Sequence, residues 1–309
     1  MGISLNWKGE TGMRKLSGLA LFLALQSLLS CSKPEGFVVV VGESYRASIL
    51  ATNKDGFGSP SRILWDRDRL YITDAGPVAV EVWSKEGGLQ TLCDFNAGIR
   101  CPKNLVRDSA GNIYFTDDAA GGLWQIDSHT GPHLLAGKEK GLLSTLGVAL
   151  SPEGTILVGD GQQHEIFSVT KQGDVSVFLG VEYGIAKPES MAFDEKGNLY
   201  IADGRDRVVY QLDTMHRLHP VIDGKGGDIS PRTISYFKGA LYFTDSRAGK
   251  ICRYTVGDGC KTIAVFGGAL KDVQGITVDA VGNIYVTVQS DSSSKSSCIV
   301  KLTQNSREV

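Results

Sequence analysis

The chain repeats itself. Six apolar positions, Ile63, Leu105, Val148, Met191, Ile234 and Ile276, follow one another at steps of 42, 43, 43, 43 and 42 residues. Each precedes a similar run: DRLYITDAGPVAVEVWS at 68–84, GNIYFTDDAAGGLWQID at 111–127, GTILVGDGQQHEIFSVT at 154–170, GNLYIADGRDRVVYQLD at 197–213, GALYFTDSRAGKICRYT at 239–255 and GNIYVTVQSD at 282–291. Alternation with a period of two, rich in Tyr, Ile, Val and Thr and bounded by glycine turns, predicts strands rather than helices. A fixed period near 40 residues, with four short strands in each repeat, is the pattern of propeller blades. The second repeat serves as the template, with strands at about 103–108, 112–117, 122–127 and 132–136. Its turns carry Gly111-Asn112 and Gly121-Gly122, which tolerate positive φ. The outermost strands end near Leu92, Leu135, Phe178, Val221 and Ile263.

The sixth repeat runs out of chain before its fourth strand, in a polar tail ending at Val309. A substitute lies at the other end, where ASILATNKDGFGSPSRI (47–63) parallels TLCDFNAGIRCPKNL (91–105). The expected fold is therefore all-β: a six-bladed β-propeller of four-stranded blades, the last blade closed by an N-terminal strand at 47–51. Such closure leaves only short outer edges. The propeller spans 47–302, followed by a C-terminal tail at 303–309. The 38 glycines suit a turn-dense all-β chain. A net charge of −2 and the lack of a basic patch with interleaved aromatics argue against nucleic acid as a partner.

Asp74, Asp117, Asp160, Asp203 and Asp245 end the second strand in five repeats. A residue that recurs in every blade answers to the blade, not to one substrate. Carboxylates in this position accept N–H groups of an adjacent turn, so these acids are expected to fasten the turn between the second and third strands. The sixth repeat has Val288 instead, then Gln289 and the serine-rich DSSSKSS at 291–297.

The N-terminus carries Arg14-Lys15 ahead of the apolar LSGLALFLALQSLLS (16–30), too short for a permanent span and shaped as a secretory signal. Met13 is the more natural start, with 1–12 as an upstream extension; residues 1–30 are the expected signal peptide. Leu28-Leu29-Ser30-Cys31 resembles a bacterial lipobox, which implies lipid attachment at Cys31, a tether and lead-in at 31–46, and a place in the bacterial cell envelope, on the outer membrane or periplasmic face. Ordinary cleavage with a free Cys31 is the alternative. An oxidising compartment permits disulfides: Cys252 and Cys260 flank a hairpin turn, and Cys93 and Cys101 share an outer strand and the loop after it. Free thiols are the other reading, and no Cys or His spacing forms a zinc motif.

The motifs LYITD, IYFTD, LYIAD and LYFTD, with their preceding Gly-Asn, resemble the NHL-repeat and YWTD-type propellers and the gluconolactonase/regucalcin family. The resemblance covers about 47–302 and speaks to architecture more than to activity. In gluconolactonase-like enzymes it implies one divalent cation such as calcium in the central channel, held by a Glu, two Asn and an Asp just before the first strand of different blades and able to polarise a lactone carbonyl. Here those positions hold Ser61, Lys103, Leu146 and Glu189, with Asn104 one residue out of register. Only Glu189 and Asn104 match in chemistry, so the expectation is no metal, no cofactor and no catalytic residue. Arg62, Lys103, Asn104, Glu189, Arg232 and Gln274 should rim one mouth of the channel and suit a small polar ligand or a protein partner. Streptogramin-lyase-type propellers would call for paired histidines; only His164, in GDGQQHE, approaches the mouth. The leading expectation is a lipid-anchored binding scaffold, touching the membrane only through its lipid. A metal-dependent hydrolase of lactones or esters, and a purely structural envelope protein, are the alternatives.

Overall fold

In Ile113–Asp117 all five residues are buried, so this strand has a neighbour on both faces. Alternate side chains feed different cores: Ile113 and Phe115 pack in the cluster shared with Tyr71 and Val80, and Tyr114 in the cluster shared with Val148 and Ile156. The same division holds for Leu70, Tyr71 and Ile72, and for Ile284, Tyr285 and Val286. A period of two placed between two neighbours is what stacks sheets face to face around a ring. The six marker residues of the repeat fall one into each of six inter-sheet clusters.

The computed structural model describes residues 37–305, apart from 43, 128, 227–228, 269 and 291–295. It is a six-bladed propeller. Blades one to four are four-stranded antiparallel meanders, beginning at Pro60–Asp66, Pro102–Arg107, Thr145–Leu150 and Pro188–Phe193. Blade five begins at Pro231–Phe237 and blade six at Leu270–Val278. These innermost strands touch their neighbours all the way round the axis. Ring closure is as the sequence predicts. Strand β2 (Tyr45–Thr52) pairs antiparallel with Ser297–Gln304 and becomes the outer strand of blade six. The structure adds one element that the repeat does not announce: β1 (Phe37–Val41) pairs with Gly259–Gly268, so blade five has five strands. Its run of valines satisfies an exposed outer edge, which the repeat period has no means of signalling.

Both radial edges of each blade carry a register shift. In the outer strands the shift skips Leu50, Leu92, Leu135, Phe178, Val221 and Ile263. In the innermost strands it falls at Ser61, at Lys103–Asn104, at Leu146–Gly147, at Glu189, at Arg232–Thr233 and at Gln274–Gly275. An extra residue bends a strand and re-aims its side chain.

The signal segment, Cys31 and most of the serine-rich loop lie outside the described residues. The expected sulfur pairs are not formed: Cys93, Cys101, Cys252 and Cys260 are free thiols, as is Cys298. Cys252 stands opposite Thr262 and Cys260 opposite Tyr254, so the two are diagonal neighbours in the ladder. That places their Cα atoms about 7–8 Å apart, outside the usual disulfide span of about 4.4–6.8 Å. Cys93 is buried in the core between blades one and two, while Cys101 lies within electrostatic reach of Arg62 at the channel. Burial raises the Cys93 and Cys252 thiols to about 11, so both stay protonated and unreactive at neutral pH.

Candidate functional site

Two successive positions near the end of the second strand, holding a threonine in four blades and an acid in five, build the channel mouth. Thr73, Thr244 and Thr287 accept the N–H groups of Arg62, Thr233 and Gly275, three groups at or next to the register shift. The Thr287 hydroxyl then donates to Ser61 O in the next blade at 2.7 Å, and the Thr116 hydroxyl to Leu146 O at 2.6 Å. The acids hold a second layer. Asp117 accepts N–H groups from Ala120 in its own turn and from Arg100 and Cys101 in the loop entering its blade. Asp74 takes Gly58, Ser59 and Gly76; Asp160 takes Leu143, Ser144, Gln162 and Gln163. Asp203 takes Ala186, Arg205 and Asp206, and Asp245 takes Ser230 and Ala248. Each acid is at most 1% exposed and clasps two loops, one more than the turn expected from the sequence. In blade six, where Val288 stands, the Gln289 amide reaches Pro60 O instead.

On this frame the innermost strands present two stacked rings. Ser61, Lys103, Leu146, Glu189, Arg232 and Gln274 form the rim. Arg62, Asn104, Gly147, Ser190, Thr233 and Gly275 stand one residue further along each strand at the throat position, and of these Arg62, Asn104, Ser190 and Thr233 line the channel. Its volume is about 310 Å³. Apart from Arg62, every throat side chain is short or absent. The Arg62 residue is 5% exposed; its Nη1 donates to Ser61 Oγ at 3.1 Å and to Gln274 Oε1 at 3.4 Å. Its Nε is buried with no hydrogen-bond partner. A Cβ on Gly275 would lie 2.6 Å from Ser61 O and 3.0 Å from Arg62 Cα, so only glycine lets blade six approach the Arg62 strand this closely.

The structure brings the expected rim residues together in two groups. Arg62 meets Gln274, whose Nε2 donates to Asp272 at 2.6 Å. Asn104 Nδ2 reaches Leu146 O at 3.2 Å and, past blade three, Glu189 O at 2.6 Å. The Glu189 carboxylate pairs with Lys187 at 2.6 Å and with Arg232 at 3.6 Å. It occupies space that any side chain on Gly204 would fill, since a Cβ there would fall 2.3 Å from Glu189 Cδ. A side cavity of about 210 Å³ lies beside it, lined by Glu189, Arg232, Ser230 and Ser246. Lys103 stands 3.9 Å from Asp118. Sequence reasoning missed Ser190, Thr233, Lys187 and Asp272; the first two share the repeat register of Arg62 and Asn104, which was their signal.

Electrostatics at the mouth are set by cations. Burial, and then the neighbouring Arg232, lower Arg62 to about 10, with Glu189, Asp272 and Cys101 acting in the opposite sense. Arg62 stays charged at neutral pH. His164 sits in the turn of blade three, its Nδ1 2.6 Å from Ala186 O. The other histidines lie away from the mouth: His133 near Asp127, His219 on Gln211 and His216 against Phe178.

No family model matches the chain, and no curated protein matches its sequence. Solved structures share its fold. A structure titled as a putative gluconolactonase is 15% identical with a TM-score of 0.65, over 86% of this chain and 94% of that one. An auxiliary nutrient binding protein from Bacteroides thetaiotaomicron gives 13% and 0.64, over 81% and 70%. A virginiamycin B lyase from Staphylococcus aureus gives 16% and 0.62, over 84% and 100%. At these identities the likeness is one of fold.

Proposed function

We propose that this chain is an exported, lipid-anchored propeller of the bacterial envelope that binds a small polar ligand at the channel mouth and does no chemistry on it. The observation that carries this reading is the state of Glu189. Its carboxylate, the one acid at the four positions where gluconolactonase-like enzymes place metal ligands, is taken by Lys187 and Arg232. A hard divalent cation wants six or more oxygen ligands, several of them anionic. Lys103 and Leu146 offer none, which leaves the neutral oxygens of Ser61 and of Asn104, whose Nδ2 is held by two carbonyls, with no free anionic ligand beside them. These residues do not fit such an ion. The channel walls are largely apolar, with Leu105, Val148, Met191 and Ile234 among them, and a few buried amides, hydroxyls and a guanidinium set into such walls are the usual equipment of a small-ligand site. The auxiliary nutrient binding protein of the same fold is in keeping with this reading.

The putative gluconolactonase favours the second reading, a metal-dependent hydrolase on the same fold. The two separate on Glu189→Gln. Binding without chemistry predicts that this substitution leaves lactone and ester turnover at the buffer rate, as in the unmodified protein. Turnover by the unmodified protein that calcium restores after chelation, and that Glu189→Gln abolishes, would overturn the binding reading. Mass spectrometry of the processed chain tests the anchor: a lipid-modified Cys31 at the N-terminus is expected, and a mature chain beginning anywhere else contradicts it.

A further inference from the structure

Resting on the binding reading above, we infer that the ligand is a compact organic oxyanion, a carboxylate or phosphate on a short hydroxylated skeleton, and that Arg62 is its anchor. Three observations converge on Arg62. It is the one long side chain in a throat ring otherwise made of Asn, Gly, Ser, Thr and Gly. It is 95% buried by its 5% exposure, yet its Nε has no hydrogen-bond partner. Leaving a donor of a charged group buried and unpaired costs more than pairing it would, so the site is incomplete without an acceptor.

Its immediate neighbours do not supply one. Gln274 and Ser61 share the single Nη1, and the Glu189 carboxylate faces Lys187 and Arg232. Asp272 is engaged by Gln274 Nε2. Arg232 adds a second guanidinium close enough to destabilise the charge on Arg62. Two cations held near each other and only partly neutralised are the electrostatic complement of an anion. The fork of a guanidinium matches the paired oxygens of carboxylate or phosphate. Ser190 accepts from Ile234 N and keeps its hydroxyl hydrogen; Thr233 donates to Gln274 O and keeps acceptor capacity; Asn104 keeps its Oδ1; these remaining groups suit the hydroxyls of a ligand. A channel of about 310 Å³ admits a molecule of a few carbons beyond the oxyanion.

The test uses three probes with one carbon skeleton: glycerol, D-glycerate and glycerol 3-phosphate. Each is titrated at constant ionic strength into the full chain; the Arg62 Nε–H resonance is followed by NMR in the unmodified protein, and binding heats are followed by titration calorimetry in it and in the variants, which lack that resonance. At least one of the two anions should shift that resonance saturably, with a Kd of about 1 mM or tighter, while glycerol leaves it unmoved. The anion that saturates identifies the headgroup. Arg62→Met should abolish saturation without lowering the melting temperature, because it removes a buried unpaired donor. Arg62→Lys, which keeps the charge and loses the fork, should weaken binding roughly ten- to a hundredfold, the equivalent of one charge-assisted hydrogen bond. Equal, saturable binding of glycerol and the anions would overturn the anion inference and leave the binding reading standing. Anion binding that survives Arg62→Met, or no saturable shift with either anion, would also overturn it. Lactone turnover lost on Glu189→Gln would instead sink the binding reading itself.

Discussion

Glu81 lies beside Asp74 in blade one, 3% exposed and with its Oε2 unpartnered. Burial, and then the Asp74 charge, raise it from an ordinary 4.5 to about 7. An acid raised in this way holds its proton more tightly in the folded chain than in the unfolded one. Its contribution is therefore present below about pH 4.5 and is lost as pH rises through about 7. The loss is on the order of 3 kcal/mol. Urea unfolding at pH 5 and pH 8 checks this: Glu81→Gln should gain about 3 kcal/mol relative to the unmodified protein between the two. A constant difference would mean that Glu81 does not titrate in this window. The strand-end acids show how far single residues could be read. Their repetition pointed to a structural clasp, but not to the two loops each one holds. The second loop is some 16 residues upstream, and only the folded blade brings Arg100 and Cys101 onto Asp117.

Among the elements, the innermost strand decides the site. Its register shift recurs at the same place in all six blades, and a threonine one residue before the strand-end position ties that shift down in blades one, five and six. Thr287 is fully buried, accepts from Gly275 N and donates to Ser61 O. Thr287→Val keeps its shape and leaves both groups unpaired, at about 2–4 kcal/mol. Thr303→Val, on an exposed position of the neighbouring strand, should stay within about 0.5 kcal/mol. Thermal unfolding of the pair separates a pinned bulge from a general effect of the substitution. The marker positions were legible because a period of two inside a period of 42 or 43 leaves strands no other arrangement. The bulges were not, because a skipped residue leaves no gap in sequence. Arg62 and Asn104 were therefore expected at the mouth, while the throat ring that makes Arg62 singular became visible only once six strands were in register. The cysteine pairs failed for a related reason: spacing across a turn does not tell a direct cross-strand pair from a diagonal one.

At the scale of the molecule, the ends of the chain hold the ring shut. β2 buries Ala51 against Ile299 and Ile63, joining blade six to blade one. β1 adds only to the outer edge of blade five. Deleting residues through Gly42 should leave a folded ring with slightly lower stability. Deleting through Thr52 removes the strand that pairs with Cys298 and Val300 and should abolish cooperative unfolding; circular dichroism and light scattering during a thermal ramp tell the two apart. The ring is a stable frame, and its six bulged strands aim a mixed, cation-bearing set of side chains at one mouth. Whether that mouth is a polar-ligand site or a metal site is the question on which the account turns. Elemental analysis of the purified mature protein, before and after chelation, addresses it most directly. The account predicts no calcium, zinc or manganese near one equivalent per chain, and one firmly held equivalent that Glu189→Gln releases would contradict it.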